Sequence, residues 1–443
     1  MSTREIVSRV IKLAKREGAT DAVARIEELE WYMLRFSNNS LTVTKSLLEK
    51  ELQIFVCING KKASCSIMNL SEEAIKEATI KTVRLAKSSR ESDLYAPLPK
   101  GPFKYDKKFK KIGDENIDVE KLPTLVKTSI ESALSSGASR VAGSLIAQKV
   151  KVLQETSGNA RSEFESTMYN LSVRAFADSD ATGQFAATST FVSKMDAEKV
   201  GRMAGEIAKM AKDPKPAEAG VYDVVFGPMT FADLIEEVVD ASSAFSVDSK
   251  TSFLVDKLNE KISSKEVTIE DDPLNQEAPG SSPFDQEGLP TFRKKIIDSG
   301  VLSTYLHNSA TSKKMNQKNT ANAGLIRPFP FNVVVSEGSK SLDELISSID
   351  NGLYVTNNWY LRYTNSLTGD FSTILRDGLF RIRNGSIEGP IKGLRLSDNM
   401  LNFLKNIEEL GRERYWIKWW EVDVPVLTGA ALVRQMKFTK PTI

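Results

Sequence analysis

One order of local signals constrains this chain more than any other: helix, antiparallel strands, helix, met twice in the first half. Ile6, Val10, Leu13 and Ala14 recur at helical spacing and Gly18 stops that helix. Strand-like runs follow at residues 22–29, 31–37, 41–45 and 52–58, and Asn59-Gly60 marks a hairpin into residues 63–68. Ser71 before Glu72 and Glu73 starts a closing helix that reaches about residue 86, because its carboxylates meet the positive end of the dipole. Past Pro97, Pro99 and Pro102 the order returns. A helix spans 119–136 and ends at Gly137; strands follow at 141–149, 151–156, 161–165 and 169–177; a helix at 196–211 closes the unit. Leu171, Val173 and Ala175 alternate with Ser172, Arg174 and Phe176, which suits a sheet with one covered face. The reading is an N-terminal α+β domain over 1–219, with similar halves at about 1–96 and 112–212 and a linker at 97–111. The densest basic stretch, residues 100–111 (KGPFKYDKKFKK), falls in that linker, and its Pro and Gly mark a solvated connector rather than a nucleic-acid groove.

A second domain is expected over 220–443. It opens with a strand at 221–226, and Thr230-Phe-Ala-Asp233 resembles a capping box. On the helix that follows, Phe231, Leu234, Ile235, Val238 and Val239 form an apolar stripe, which leaves Asp233, Glu236, Glu237 and Asp240 to a solvated face. Beyond residue 266 short strands and turns dominate, with a hairpin at Asn384-Gly385 and a helix at 399–409 before Gly411. The fold class is α+β, with a β-rich, barrel- or sandwich-like C-terminal domain.

Composition then removes whole classes of chemistry. The chain has 443 residues but one His and two Cys, so a zinc site needing two His and a Cys-rich site are both excluded. Sixty basic against fifty-eight acidic residues give a net charge of +2, no argument for a nucleic-acid partner. No apolar run approaches the roughly 18 residues of a membrane helix, and the amphipathic first helix is no signal peptide, so a cytoplasmic protein is expected. Glycine-rich phosphate signatures are missing, which disfavours nucleotide chemistry. Glu236, Glu237 and Asp240 lack the loop carbonyls that a hard cation adds. His307 could serve as a general base if Ser303, Ser309 or Ser312 approached it; otherwise it is a hydrogen-bonded structural residue. Cys57 and Cys65 read as free thiols on one hairpin. Small-residue loops carrying Asp285, Glu287, Asn322, Thr368 and Gly369 could approach a peptide backbone and form the candidate substrate cavity; turns have the same composition.

The order of several segments resembles the TldD/PmbA family across essentially the whole chain. The carriers are Asp271-Asp272-Pro273 with Asp285-x-Glu287-Gly288, then Gly300-Val301-Leu302-x-x-Tyr305-Leu306. Residues 319–323, Thr368-Gly369-Asp370-Phe371, Gly389-Pro390-Ile391-Lys392-Gly393 and the upstream Ser157-Gly158-Asn159 complete the set. The resemblance implies a heterodimer. Its TldD-type subunit carries His-Glu-x-x-x-His and a distant Cys on zinc, with the Glu as general base for a metal-activated water. The PmbA/TldE type lacks those ligands. Aligned on the shared segments without gaps, the two His positions fall on Ile235 and Asp240, the Glu on Glu236 and the Cys near Tyr360. The segment Asn357-Asn-Trp-Tyr-Leu-Arg-Tyr363 looks like archaeal members of the non-zinc branch. The resemblance therefore implies a non-catalytic subunit with no cofactor of its own, shaping a cavity for unfolded or modified peptides beside the zinc of a TldD-type partner. Two alternatives stay open: an independent metal-free hydrolase using His307 or Glu236, and a homodimeric peptide-binding module.

Overall fold

The computed structural model describes residues 1–441; residues 442 and 443, the end of the expected second domain, lie outside the described part. The fold is mixed α+β, with 24% helix and 42% strand. The first half forms around one continuous antiparallel sheet. Two meanders, Asp21–Ser37, Ser40–Ile58 and Lys61–Ile67, and Arg140–Thr156, Arg161–Phe176 and Thr182–Ser189, join along the antiparallel pair Asp21–Ser37 with Arg140–Thr156. Where four pairs of short strands were expected, four long ones run through, 16 to 19 residues each. The polar residues that interrupt the pattern, such as those at 27–30, lie half-exposed where the sheet passes between its two helix pairs.

Both helix pairs pack on the same face. Ala22, Ala24 and Ile26 share a core with the Thr3–Arg16 and Glu72–Ser88 helices, and Leu34 and Phe36, of the same parity, share one with Leu122–Ser135, while Ala197–Met210 packs on the Arg161–Phe176 and Thr182–Ser189 strands. Ser2 and Ser71 cap the first two helices as Ser should, each accepting from a first-turn backbone N–H. Asn59 and Gly60 both take positive φ, the geometry of the tight hairpin turn.

The opposite face is covered by residues 95–112 and by loops of the second half. Leu98 and Tyr95 pack on Val23 and Phe55, and Phe109 and Ile112 join Val152, Phe164 and Phe284. The linker is therefore not a free solvated connector. Its lysines face water, but Tyr105 donates to the Gly288 carbonyl (2.7 Å) and Gln276 Nε2 donates to the carbonyls of Lys108 and Lys111. Alternating apolar residues among the charges made it a strap.

In the second half the barrel alternative is the one found. Strands Gly220–Phe226, Ala431–Thr439, Arg395–Asn399, Asp370–Arg383 and Asn351–Asn365 pair in a closed ring of five. Beside it a six-stranded sheet ends in Val422–Thr428 and Tyr415–Trp419. The Pro228–Ala241 helix is packed against both the barrel strand Asn351–Asn365 and the sheet strand Val422–Thr428. Among the described residues no helix is long and apolar enough to cross a membrane.

Candidate functional site

Pro228 occupies the first turn of the 228–241 helix behind Gly227, so the helix begins before Thr230. Thr230 and Asp233 lie inside it and are buried, which corrects the capping-box expectation. Phe231, Leu234, Ile235, Val238 and Val239 are buried as the stripe demands. The solvated acidic face is also corrected, because this helix has neighbours on both sides. Asp233 is 1% exposed and accepts from Asn358 Nδ2 on the barrel. Glu236 accepts from the backbone N–H groups of Val424 (2.7 Å) and Asp423 (3.1 Å), at the start of a sheet strand. Glu237 lies beside Tyr363 and Arg362. Asp240, at the outer end, is half-exposed and paired with Arg327 (2.9 Å). Burial pushes Asp233 well above the usual carboxylate range, Glu236 to about 8 and Glu237 to about 7. Tyr363 rises too, through burial and the Glu237 charge.

Across from this acid group stands an aromatic cluster. Tyr360 holds φ at 60°, a left-handed conformation rare for an aromatic residue, where the 351–365 strand loses register with its neighbour. Its backbone N–H donates to Glu421 Oε1 (2.8 Å). The Tyr360 ring centroid is 5.2 Å from Trp420, which stands 5.3 Å from Trp359 and 5.4 Å from Trp419. Tyr360 and Trp420 are 44% and 49% exposed, whereas the indole N–H groups of Trp359 and Trp419 are buried without a partner. The guanidinium groups of Arg174 and Arg376 sit 4.9 and 5.1 Å from the Trp359 ring. The arrangement offers a rigid, partly exposed aromatic platform edged by cations and by acids kept partly neutral. Stacking and main-chain hydrogen bonding are what it can do chemically.

The other sequence candidates go elsewhere. His307 is 1% exposed; its Nδ1 lies 3.2 Å from Thr311 Oγ1, and burial lowers it to about 4. Ser303, Ser309 and Ser312 bond to the Val301 carbonyl, Glu287 and the Gln317 carbonyl, not to His307. Asp285, Glu287 and Asn322 are buried in one polar network. Asp285 accepts from the backbone N–H groups of Glu287, Leu289 and Ala323; Glu287 accepts from Ser309; Asn322 donates to Asp271 (2.7 Å), which also binds Lys294 (3.0 Å). Thr368 and Gly369 form the turn between two barrel strands, where Gly369 N–H donates to the Asn365 carbonyl. Cys57 and Cys65 are free and lie opposite different partners, Lys62 and Ile54.

Trp419, Trp420 and Glu421 were not singled out from sequence, and Tyr363 and Arg174 were read only as members of a segment and of a strand, not as site residues. The signal available was density: three of the five Trp fall in Trp416-Ile-Lys-Trp419-Trp420.

Residues 219–440 match the PmbA/TldA metallopeptidase C-terminal domain. The chain belongs to the PmbA/TldD metallopeptidase family. It is similar along nearly its whole length to the Metalloprotease PmbA homolog of Haemophilus influenzae, 26% identical over 460 residues, 98% of this chain and 96% of that protein. A Metalloprotease of Methanothermobacter thermautotrophicus is 32% identical over 228 residues, half of each chain. The crystal structure of TldE from Thermococcus kodakarensis superposes with a TM-score of 0.82 at 18% identity, over 98% of this chain and all of that one, a likeness of fold.

A metallopeptidase family raises the question of whether these residues fit zinc. They do not. Ile235 has no donor atom and is fully buried, both Glu236 oxygens are held by backbone amides, Asp240 is engaged by Arg327, and Tyr360 packs against Trp420. Among the described residues no group of three or more His, Cys, Asp or Glu side chains could hold a metal ion.

Proposed function

We propose that this chain is the PmbA/TldE-type subunit of a TldD/TldE-type peptidase heterodimer and shapes the cavity that holds an unfolded or modified peptide beside its partner's zinc. The observation that carries the reading is what stands at the three lost ligand positions, a core Ile235, an ion-paired Asp240 and an aromatic Tyr360, together with a backbone-bound Glu236 at the general-base position. Each is occupied by an interaction that a ligand would have to give up. Tyr360 and Trp420 then form a platform on which peptide side chains stack, and exposed strand edges add the peptide main chain.

The metal-free hydrolase draws less support. Glu236 spends its oxygens on amides, and none of the nearby serines bonds to His307.

The test is co-purification with a subunit bearing His-Glu-x-x-x-His, followed by peptide cleavage assays. Cleavage by the mixture, little by either chain alone, and loss of it in the Trp420→Ala mixture are expected. A chain that never associates with such a subunit, or one that binds stoichiometric zinc and cleaves alone, overturns the proposal.

A further inference from the structure

Arg25 follows Val23 by two places on the Asp21–Ser37 strand, so its side chain leaves the sheet on the face away from the helices. There it lines a cavity of about 540 Å³ between that face and the loop at 324–329. The volume falls within the roughly 300–1,000 Å³ of small-molecule sites. Val23, Phe55, Leu325 and Phe329 give the cavity apolar walls.

The charges in the lining have one sign. It holds Arg25 and Arg327 and, among the described residues, no Asp or Glu. Arg327 is engaged by Asp240 (2.9 Å). Arg25 Nη2 reaches only Glu27 Oε2, outside the lining, at 3.4 Å, and its Nε and Nη1 donate to nothing among the described residues. Glu51, opposite Glu27, is held by Gln53 Nε2 (2.7 Å). The Arg25 side chain is 16% exposed, and burial lowers its pKa from the ordinary guanidinium value, a sign that its charge is poorly compensated.

A second donor stands close by. Gln154, directly opposite Arg25 on the next strand, donates to the Asp285 carbonyl (3.1 Å). The adjacent Gln286 lines the cavity; its Oε1 accepts from Leu325 N–H (3.1 Å), which leaves its Nε2 without a partner among the described residues. A planar guanidinium with free donors matches a carboxylate, and a single free cation among apolar walls suits one carboxylate better than a phosphate, which carries more charge.

We propose that this cavity binds a carboxylate carried on an apolar group, with the carboxylate on Arg25 and Gln286 and the apolar group against Phe55 and Leu325. The C-terminal residue of a peptide and a free aliphatic acid share that chemistry. The site lies within this chain and does not depend on a partner subunit.

Isothermal titration calorimetry of the full chain with N-acetyl-leucine, hexanoate and the neutral N-acetyl-leucinamide tests it. At least one acid should bind, and the amide should bind about tenfold more weakly than N-acetyl-leucine if the ligand is a peptide end, or not at all if hexanoate is the acid preferred. Arg25→Gln should weaken binding of the acid about tenfold. Ser66→Trp, on the exposed rim of the cavity, should weaken it by crowding while leaving Arg25 in place. Circular dichroism melting establishes that each variant is folded. Failure of both acids to bind at millimolar concentration, equal binding of acid and amide, or undiminished binding by either folded variant overturns the proposal.

Discussion

Glu237 stands half-buried against Tyr363 with its pKa pushed from 4.5 to about 7 by burial. A folded-state value above the unfolded one means that the neutral form suits the fold. The stability tied to it is complete below about pH 4.5 and is lost as the pH rises through about 7. Glu237→Gln should therefore melt close to the wild type at about pH 4.5 and gain about 3 kcal/mol on it at about pH 8, read from thermal unfolding at the two values. Asp285 presents a different case. Its three backbone N–H bonds oppose the upward push of burial and of Glu287. Asp285→Ala leaves those donors unpaired and should cost about 3 kcal/mol in chemical denaturation. Asp285→Asn keeps the oxygen that serves Glu287 and Leu289 and should cost less. Neither environment was legible in sequence. The residue types of the acidic helix were visible, but a period of 3.6 shows only which positions share a face. It does not show that a barrel and a sheet would cover both sides.

At the level of elements, local chemistry carried most of the weight. Ser2, Ser71 and Asp196 cap helices because their side chains accept from free first-turn amides. Asn59-Gly60 and Asn384-Gly385 turn because both residues of each pair take positive φ. The Thr182–Ser189 strand escaped notice because its Gly, Ala and Ser content has little strand preference; its place comes from pairing with Arg161–Phe176. Helix packing shows how far propensity can mislead. A Cβ on Gly201 would lie 2.1 Å from the Ser129 carbonyl oxygen of the neighbouring helix. Gly201→Ala improves helix propensity by about 1 kcal/mol. It should nonetheless destabilise the protein by about 2 kcal/mol in urea unfolding, since the two helices must separate.

Across the whole molecule the two halves are joined by polar contacts as well as by a shared core. Arg174 of the N-terminal sheet bonds Asp377 of the barrel (2.7 Å), whose side chain is 0% exposed, and Asn357 donates to Gln184 (3.1 Å). Arg174→Ala strands a buried carboxylate and should cost about 3 kcal/mol, whereas Asp377→Asn should cost less; comparing their denaturation midpoints checks the asymmetry. Periodicity, capping residues and turn pairs were enough to place both helix–sheet–helix units and a β-rich second half, since each depends on neighbours in sequence. The scarcity of His and Cys excluded a two-His or Cys-rich metal site within the chain before any geometry was known. What folding in three dimensions added was the merging of the meanders into one sheet, the closure of the barrel by strands as far apart as Gly220–Phe226 and Ala431–Thr439, and the aromatic platform beside a buried acidic helix. Those features join residues far apart along the chain, from Tyr360 and Trp420 to Val221 and Lys437. Their formation depends on which surfaces bury one another, and no local pattern along the chain records that.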